Sequence, residues 1–320
     1  MSEKNGAIKI RIAGELGNQL FQLIAGLVIV KNTESKLELE FSSLSSNRLQ
    51  PYSFYDTKIM TVSENGKNNY SLYYRFIANY VKKLLLKLLE VTKCRELFVS
   101  LGIMENTFNE QFAHVFDNRI LIVKNKSVIN GYFQSFKYVK LCESNYPVRQ
   151  MLDLKTQSAD FNNLKHELGK YPFVAIHIRR GNEHDPFSIL NSEFHGLLPV
   201  DYYDNAYNLL SKLIQIENYK IIVFTDNKSA SEMFVKNFGF LVDRIISSDD
   251  LQSQQETMHL IAKSQHLIGA NSSFSWWAAY LGDSQKKFTI FPKPWYKKSG
   301  ETDQEILWPN WLVCGFESYL

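Results

Sequence analysis

Strand-like and helix-like patterns of apolar residues alternate along the first half of the chain. Residues 7–13 alternate apolar and basic side chains as a strand does, and a turn with two glycines follows at 14–19. Residues 20–30 are continuously apolar over a helical length, which predicts a buried helix. The same criteria predict a strand at 37–41, loop over 42–70, mostly helix over 71–100, a strand at 128–133 and a helix between Pro147 and Pro172.

The alternation becomes cleaner after Pro172, where short apolar strands and amphipathic helices follow one another. Strands are predicted at 173–178, 220–224, 266–270 and 287–291, and helices at 202–214, 229–238, 256–264 and 275–281. Strands that alternate with helices indicate a parallel sheet covered on both faces. A chain of 320 residues is long enough for two domains. We therefore predict an α/β fold with two Rossmann-like domains, 1–160 and 161–320, facing each other across a cleft.

Composition narrows the classes of function. Hydrophobic residues make up 45% of the chain and charged residues 22%, which is ordinary globular usage. The net charge of +3 arises from 36 basic and 33 acidic residues, too even a balance for a nucleic-acid binder. Cys94, Cys142 and Cys314 lack metal-ligand spacing, which favours free thiols in a reducing compartment.

The sequence indicates a cytoplasmic protein. No basic segment leads into an apolar stretch near the N-terminus, and no uncharged apolar run reaches the ~18 residues of a membrane span. Residues 80–90 form a short basic amphipathic pattern. That segment could pack against the protein or lie on an anionic membrane surface, which would make the protein peripheral at the inner membrane face.

Unusual polar residues collect where the predicted strands end. Ligand sites of parallel sheets lie beyond the carboxyl ends of the strands, so one cleft could gather all of these segments. They are Gly14-Glu-Leu-Gly-Asn-Gln19, Arg179-Arg-Gly-Asn182, Thr225-Asp-Asn227, Asn271-Ser-Ser273 and Pro292-Lys-Pro-Trp295.

Two of these segments favour anion binding. Arg179 and Arg180 directly follow a buried strand, and an arginine fork there can hold a diphosphate bidentately, although a structural salt bridge is the alternative. The segment Asn271-Ser272-Ser273 precedes a helix whose free N–H groups could bind phosphate, with plain N-capping as the alternative. We interpret the following tryptophans at 276–277 as core residues.

The polar residues at the other strand ends give weaker evidence for a ligand site. The loop with Gly14 and Gly17 matches neither a dinucleotide-binding fingerprint nor a phosphate-binding loop, and a tight strand-to-helix turn explains it equally well. The Asp226 or Glu256 carboxylate could accept hydrogen bonds from the N1–H and amino group of a guanine. Structural capping is equally compatible with each of them.

A catalytic base is expected in the loop after Arg180. Its candidate residues are Glu183, His184, Asp185, Glu193 and His195. Glu183 and Asp185 superficially resemble a metal clamp, but cationic side chains and a helix N-terminus can balance a diphosphate alone. No Asp-x-Asp occurs in the chain. We predict that no metal and no cofactor is needed.

Five segments in this order resemble glycosyltransferase family 11, the α1,2-fucosyltransferases. They are Gly14-Glu-Leu-Gly-Asn-Gln-Leu-Phe-Gln22, Gly131-Tyr-Phe-Gln-Ser135, His177-Ile-Arg-Arg-Gly-Asn182, Val223-Phe-Thr-Asp-Asn227 and Asn271-Ser-Ser-Phe-Ser-Trp-Trp-Ala-Ala-Tyr-Leu281. The resemblance implies a GT-B type fold and inverting, metal-independent transfer from GDP-β-L-fucose. It also implies that residues 1–160 lie on the acceptor side and that residues 161–320 bind the donor.

The resemblance assigns roles to individual residues. Arg179 would hold the β-phosphate of GDP, and Glu193, which precedes Phe194-His195, would be the base, with Asp185 as its competitor. The predicted donor-binding residues are His177, Arg179, Arg180, Asn182, Asp226, Glu256, Asn271, Ser272, Ser273 and Ser275. The predicted acceptor or cleft residues are Glu15, Gly17, Asn18, Gln19 and His195.

Two residues depart from the family pattern. Glu15 stands where the family usually has glycine, which could reshape acceptor choice, and Asn182 stands where it usually has aspartate. Expected partners are GDP-fucose and a galactose-containing oligosaccharide or lipid-linked glycan, such as an O-antigen unit. A transferase for another GDP-sugar and a nucleotide-sugar-binding protein with weakened catalysis remain alternatives.

Overall fold

A computed structural model of the chain describes residues 7–41, 60–64, 106–181, 193–297 and 305–320, with only the backbone described at 60–64. Both sheets of these residues consist of parallel strands. Most of the predicted loop over 42–70, the predicted helical segment at 71–100 and its amphipathic stretch at 80–90 lie outside the described residues.

The first sheet belongs to the N-terminal half. It contains five strands in the order β3-β2-β1-β5-β4, namely β1 (Ala7–Ile12), β2 (Lys36–Phe41), β3 (Met60–Glu64), β4 (Asn106–Asn109) and β5 (Ser127–Asn130). The chain therefore builds outward from β1 in one direction and then returns to its other side. This reversal lies between β1 and β5, and a crevice opens at such a point beyond the carboxyl ends of the strands.

The second sheet belongs to the C-terminal half. It contains six strands in the order β11-β10-β9-β6-β7-β8, namely β6 (Phe173–Ile178), β7 (Lys220–Thr225), β8 (Arg244–Ser247), β9 (His266–Ile268), β10 (Thr289–Pro292) and β11 (Leu312–Cys314). Here the order reverses between β6 and β9. The second crevice therefore lies between the segments that follow these two strands.

Helices link the strands of both sheets. They are α1 (Leu16–Thr33), α2 (Phe136–Glu143), α3 (Val148–Met151), α4 (Ala159–Leu168), α5 (Val200–Ser211), α6 (Lys228–Phe234), α7 (Gln254–Ala262) and α8 (Ser273–Leu281). Short 3-10 helices lie at Asn118–Ile122, Ile216–Asn218, Val235–Asn237 and Ser248–Asp250. None of the described helices is both long enough and apolar enough to cross a membrane.

The two halves share a continuous hydrophobic core. Helix α1 of the first half packs on α8 of the second, and the Phe21 ring lies 4.8 Å from that of Trp276 and 5.0 Å from that of Trp277. Both tryptophans are fully buried, which confirms their predicted core role. Farther along the same junction, Glu305 Oε2 accepts a hydrogen bond of 2.6 Å from the Phe116 N–H.

The structure confirms the predicted α/β fold with two parallel Rossmann-like sheets. Four short strands and one helix were not predicted, namely β3, β4, β8, β11 and α2. The strand β3 falls in a segment for which loop was predicted, and that part of the prediction was wrong. The division near residue 160 stays a prediction.

Candidate functional site

The site is built from the segments that follow β6 and β9, at the reversal of strand order in the C-terminal sheet. The turn after β6 is fixed from the neighbouring strand β7. The Asp226 carboxylate accepts hydrogen bonds from the N–H groups of Arg180, at 2.8 Å, and Gly181, at 3.1 Å. Asn227 Nδ2 donates to the Gly181 carbonyl at 2.9 Å, while its Oδ1 caps α6. Gly181 adopts a φ of +65°, which suits this sharp turn.

Arg179 presents a cation that none of the described residues neutralises. The side chain is half-buried, and within the described part of the chain its guanidinium has no hydrogen-bond or ion-pair partner. Its charge contributes, after burial, to lowering the pKa values of both His177 and His195. A half-buried, unpaired guanidinium at this edge is suited to binding an anion.

Arg180 is engaged differently. Its guanidinium carbon lies 3.2 Å from the centroid of the Phe234 ring, and Nη2 donates to the Leu198 carbonyl at 3.1 Å. Its Nε atom is buried without a partner among the described residues. The structure thus separates two neighbouring arginines that the sequence treats alike. A donor contact by Arg180 stays a prediction.

Below Arg179, His177 joins β6 to the start of α8. His177 is buried, and its Nδ1 forms a hydrogen bond of 2.5 Å with the Ser275 hydroxyl. The same hydroxyl oxygen accepts from the Ala270 N–H at 3.2 Å. Burial is the main cause of the lowered His177 pKa; the Arg179 charge also lowers it, whereas Asp226 raises it. The imidazole is therefore neutral near pH 7.

Asn271 and Ser272, which precede α8, make hydrogen bonds that stabilise the fold. Asn271 Nδ2 donates to the carbonyls of His195, Gly196 and Trp295, at 2.8, 3.3 and 3.2 Å. Ser272 is the N-cap of α8 and accepts from the Phe274 N–H. The predicted capping alternative is thus observed, and these contacts position the helix N-terminus beside the turn that carries Arg179.

His195 lies in an aromatic cluster that spans both halves. Its ring is 5.3 Å from that of Tyr296, and the Tyr296 hydroxyl is 2.8 Å from Nδ1 of His114 in the N-terminal half. The His195 Nδ1 is buried without a partner among the described residues. Burial, then the charges of Arg179 and His114, lower the His195 pKa to about 3, so this ring is neutral near pH 7.

The segment after β1, in the N-terminal half, contacts the start of α8. Asn18 Oδ1 accepts from Ser273 Oγ at 2.8 Å and from Gln134 Nε2 at 2.6 Å. A Cβ atom on Gly17 would lie 2.5 Å from the Ser273 backbone carbon. The glycine is thus explained by the close approach of α1 and α8, which sequence reasoning left open.

Two further cleft candidates lie beside this contact. Gln19 is fully buried and donates to the Gly14 carbonyl at 3.0 Å, while its Oε1 is buried without a partner among the described residues. Glu15 is half-buried at the N-cap position of α1 and makes no capping hydrogen bond with its side chain. Their roles towards an acceptor stay predictions.

Glu256 holds the N-terminus of α4. Its carboxylate accepts from the Ser158 N–H at 2.6 Å and from the Ser158 hydroxyl at 3.0 Å, and the residue is buried. The structural alternative is therefore observed for both carboxylates. Glu256 binds the N-cap residue of α4, and Asp226 binds the backbone N–H groups of the turn after β6. Recognition of guanine by either residue stays a prediction.

Some predicted residues cannot be placed. Asn182 and Asp185 lie outside the described residues, as do Glu183 and His184. Glu193 is described and exposed. Among the described residues, no group of three or more His, Cys, Asp or Glu side chains is arranged to hold a metal ion.

The structure adds residues that sequence reasoning missed. His114, Gln134 and Tyr296 connect the halves through side chains far apart in sequence, so no periodicity or spacing indicates them. Glu110 lies on the carboxyl edge of the N-terminal sheet, where burial raises its pKa to about 7, with Asp117 adding to the rise and hydrogen bonds from the Phe133 and Tyr132 N–H groups opposing it. Only the glycine-containing segment at 131–135 offered a sequence signal for this region.

Comparison with known proteins identifies the family. The sequence model described as glycosyl transferase family 11 matches residues 7–314, nearly the whole chain. The chain belongs to glycosyltransferase family 11. The predicted family is thereby confirmed, and the range matched by the family model includes the turn at Arg179.

Two curated relatives and one solved structure are similar to the chain over most of its length. The O-antigen biosynthesis glycosyltransferase WbnK of Escherichia coli is 27% identical over 94% of this chain and 98% of its own. An α-1,2-colitosyltransferase of Escherichia coli is 25% identical over 90% of this chain and 92% of its own. The crystal structure of fucosyltransferase NodZ from Bradyrhizobium is similar with a TM-score of 0.46 and 14% identity, covering 87% of this chain and 94% of that one.

Proposed function

We propose that this family 11 glycosyltransferase transfers L-fucose from GDP-β-L-fucose to a galactose hydroxyl of a cell-surface oligosaccharide, forming an α1,2 linkage with inversion. The observation that carries the proposal is Arg179, half-buried and unpaired among the described residues at the reversal of strand order. A nucleoside diphosphate needs such a cation, because negative charge develops on the leaving group as the sugar departs.

The neighbours of Arg179 support a leaving-group site. Helix α8 begins after β9, the strand beside β6, so the dipole of its N-terminus adds to the positive potential at this edge. His177 and His195 are held neutral beside it. The site therefore carries its positive charge on the guanidinium, without a metal or cofactor in the proposed mechanism.

The relatives leave the donor sugar open. One relative is an O-antigen biosynthesis glycosyltransferase, which fits a glycan acceptor and, for a lipid-linked glycan, work at the inner membrane face. The other is named for transfer of colitose, which favours a second candidate function, transfer from a GDP-sugar other than GDP-fucose. The diphosphate-binding residues would be the same in both cases.

GDP release tests the proposal directly. The purified protein is incubated with GDP-fucose and galactose-terminated oligosaccharides, with and without EDTA, and free GDP and fucosylated product are measured. We expect acceptor-dependent release that EDTA does not reduce. Release only from a different GDP-sugar would support the second candidate, and binding of GDP-fucose without any release would indicate a protein with weakened catalysis. A strict requirement for Mg²⁺ or Mn²⁺ would contradict the metal-independent mechanism.

The general base is proposed to be Glu193, with Asp185 as the competitor. Glu193→Gln is expected to lower kcat with the acceptor by roughly 10²- to 10⁴-fold, the usual scale of general-base assistance, while leaving the Kd for GDP nearly unchanged. Steady-state kinetics and GDP titration measure both quantities. Normal turnover in Glu193→Gln together with collapse in Asp185→Asn would transfer the role to Asp185.

A further inference from the structure

Two large aromatic side chains that the proposed mechanism does not use lie exposed at the carboxyl edge of the N-terminal sheet. Phe112 is 58% exposed and follows β4, and Tyr132 is 43% exposed and follows the neighbouring strand β5. Each such ring offers a large apolar area to a ligand, and the two rings belong to adjacent segments of the sheet edge.

The two segments are fastened to each other. Glu110 donates its N–H to the Asn130 carbonyl at 2.9 Å, and its Oε2 accepts from the N–H groups of Tyr132 and Phe133, at 2.8 and 2.9 Å. Gln134 donates its N–H to the Ala113 carbonyl at 2.7 Å. These contacts hold the backbones that carry both rings in one arrangement, with Glu110 as a positioning residue.

The location suits a substrate. Tyr132 follows β5 directly beside β1, where the strand order of the N-terminal sheet reverses and a ligand crevice is expected. The segment also reaches the C-terminal half, because Gln134 contacts Asn18, which in turn accepts from Ser273. Two residues after Phe112, His114 contacts Tyr296 of the cluster that contains His195. The segments that carry both rings are therefore linked by these contacts to residues around the donor site.

We propose that Phe112 and Tyr132 form a platform that binds the acceptor sugar, an inference that rests on the proposed function. A pyranose is amphipathic, since its C–H bonds carry partial positive charge on one face while its hydroxyls lie around the rim. The negative face of an aromatic ring attracts those C–H groups. A β-galactoside places the C–H bonds of C3, C4 and C5 on one face, which matches an aromatic platform.

Alanine substitutions test the platform with a matched control. Phe112→Ala and Tyr132→Ala each remove one ring, and Ile122→Ala removes an apolar side chain that is 79% exposed on the same half but lies in the 3-10 helix at Asn118–Ile122. Because all three side chains are exposed, the fold should tolerate the changes. We expect each aromatic variant to raise the KM for lactose about tenfold, or about 1.4 kcal/mol. The control should match the wild type.

Donor readouts separate this inference from the proposed function. In all three variants the Kd for GDP and the slow hydrolysis of GDP-fucose without acceptor should stay at wild-type values. An unchanged lactose KM in both aromatic variants overturns the platform, and a parallel loss of GDP binding overturns it as well.

A binding measurement without nucleotide covers the case in which the wild type transfers no sugar. Saturation-transfer NMR with lactose should then show contact with the wild type and with Ile122→Ala, and weakened contact with Tyr132→Ala. That result would support the platform while the proposed function fails. Absence of lactose contact with the wild type would refute the platform.

Discussion

Replacing Arg179 with alanine is expected to reduce kcat/KM by roughly 10²- to 10³-fold, the scale seen when one donor to a developing negative charge is removed. The physical reason is the position of Arg179, half-buried and without a partner among the described residues, so that its charge is available to a diphosphate. The Kd for GDP should rise in parallel. Steady-state kinetics and calorimetric titration with GDP measure the two effects.

Two further variants make the Arg179 test specific. Arg179→Lys should recover little activity, because an ammonium lacks the planar fork that holds two phosphate oxygens at once. Arg244→Ala removes an arginine of the same sheet that pairs with Glu167 on the surface, and it should leave kinetics unchanged. If Arg179→Ala kept more than about a tenth of the wild-type kcat/KM, a loss below ~1.4 kcal/mol, the leaving-group role would be wrong.

Gly17→Ala is expected to lower the free energy of unfolding by about 1–3 kcal/mol, the usual cost of overpacking a core. The added methyl group would lie 2.5 Å from the Ser273 backbone carbon and 2.6 Å from the Phe274 nitrogen. Backbone atoms cannot swing aside as a side-chain end can, so α1 and α8 must separate. Since Ser273 begins the helix beside the donor site, GDP binding should weaken as well.

Gly26 of the same helix provides the matched control. A Cβ atom there would meet the two terminal methyl groups of the buried Leu37, the nearer at 2.7 Å, and these belong to a flexible side-chain end. Alanine also favours the helix over glycine by roughly 0.5–1 kcal/mol. Chemical denaturation of both variants should therefore show a smaller loss for Gly26→Ala, or none. Equal stability of Gly17→Ala and the wild type would contradict the close approach of the helices.

Regular patterns allowed much of the fold to be predicted from the sequence. β6 contains one polar residue, β7 contains a continuous run of four apolar residues, and α1 is apolar over most of its length, so these three patterns are clear. The missed strands are short, and their sequences carry little pattern: β4 reads Asn-Thr-Phe-Asn and β11 reads Leu-Val-Cys. Such segments become strands because a neighbouring strand offers hydrogen bonds, which local propensity does not encode.

The candidate site was predictable in location but not in detail. Ends of apolar strands indicated which segments meet, because parallel strands share a carboxyl edge. The sequence treats Arg179 and Arg180 alike, and only the folded structure shows that the second guanidinium is engaged by Phe234 and the Leu198 carbonyl. Likewise, the sequence does not show that the Glu256 carboxylate accepts two hydrogen bonds from Ser158, 98 positions away.

The packing of Phe21 against Trp276 and Trp277 has a mechanical consequence. A hinge motion that swung the two halves apart would pull this ring from its pocket and break the indole N–H hydrogen bond from Trp277 to the Gly17 carbonyl. Exposing that much apolar surface in every catalytic cycle would be prohibitive. Substrates must therefore enter and leave around a pivot that stays closed, and the two halves should unfold together in a single cooperative transition.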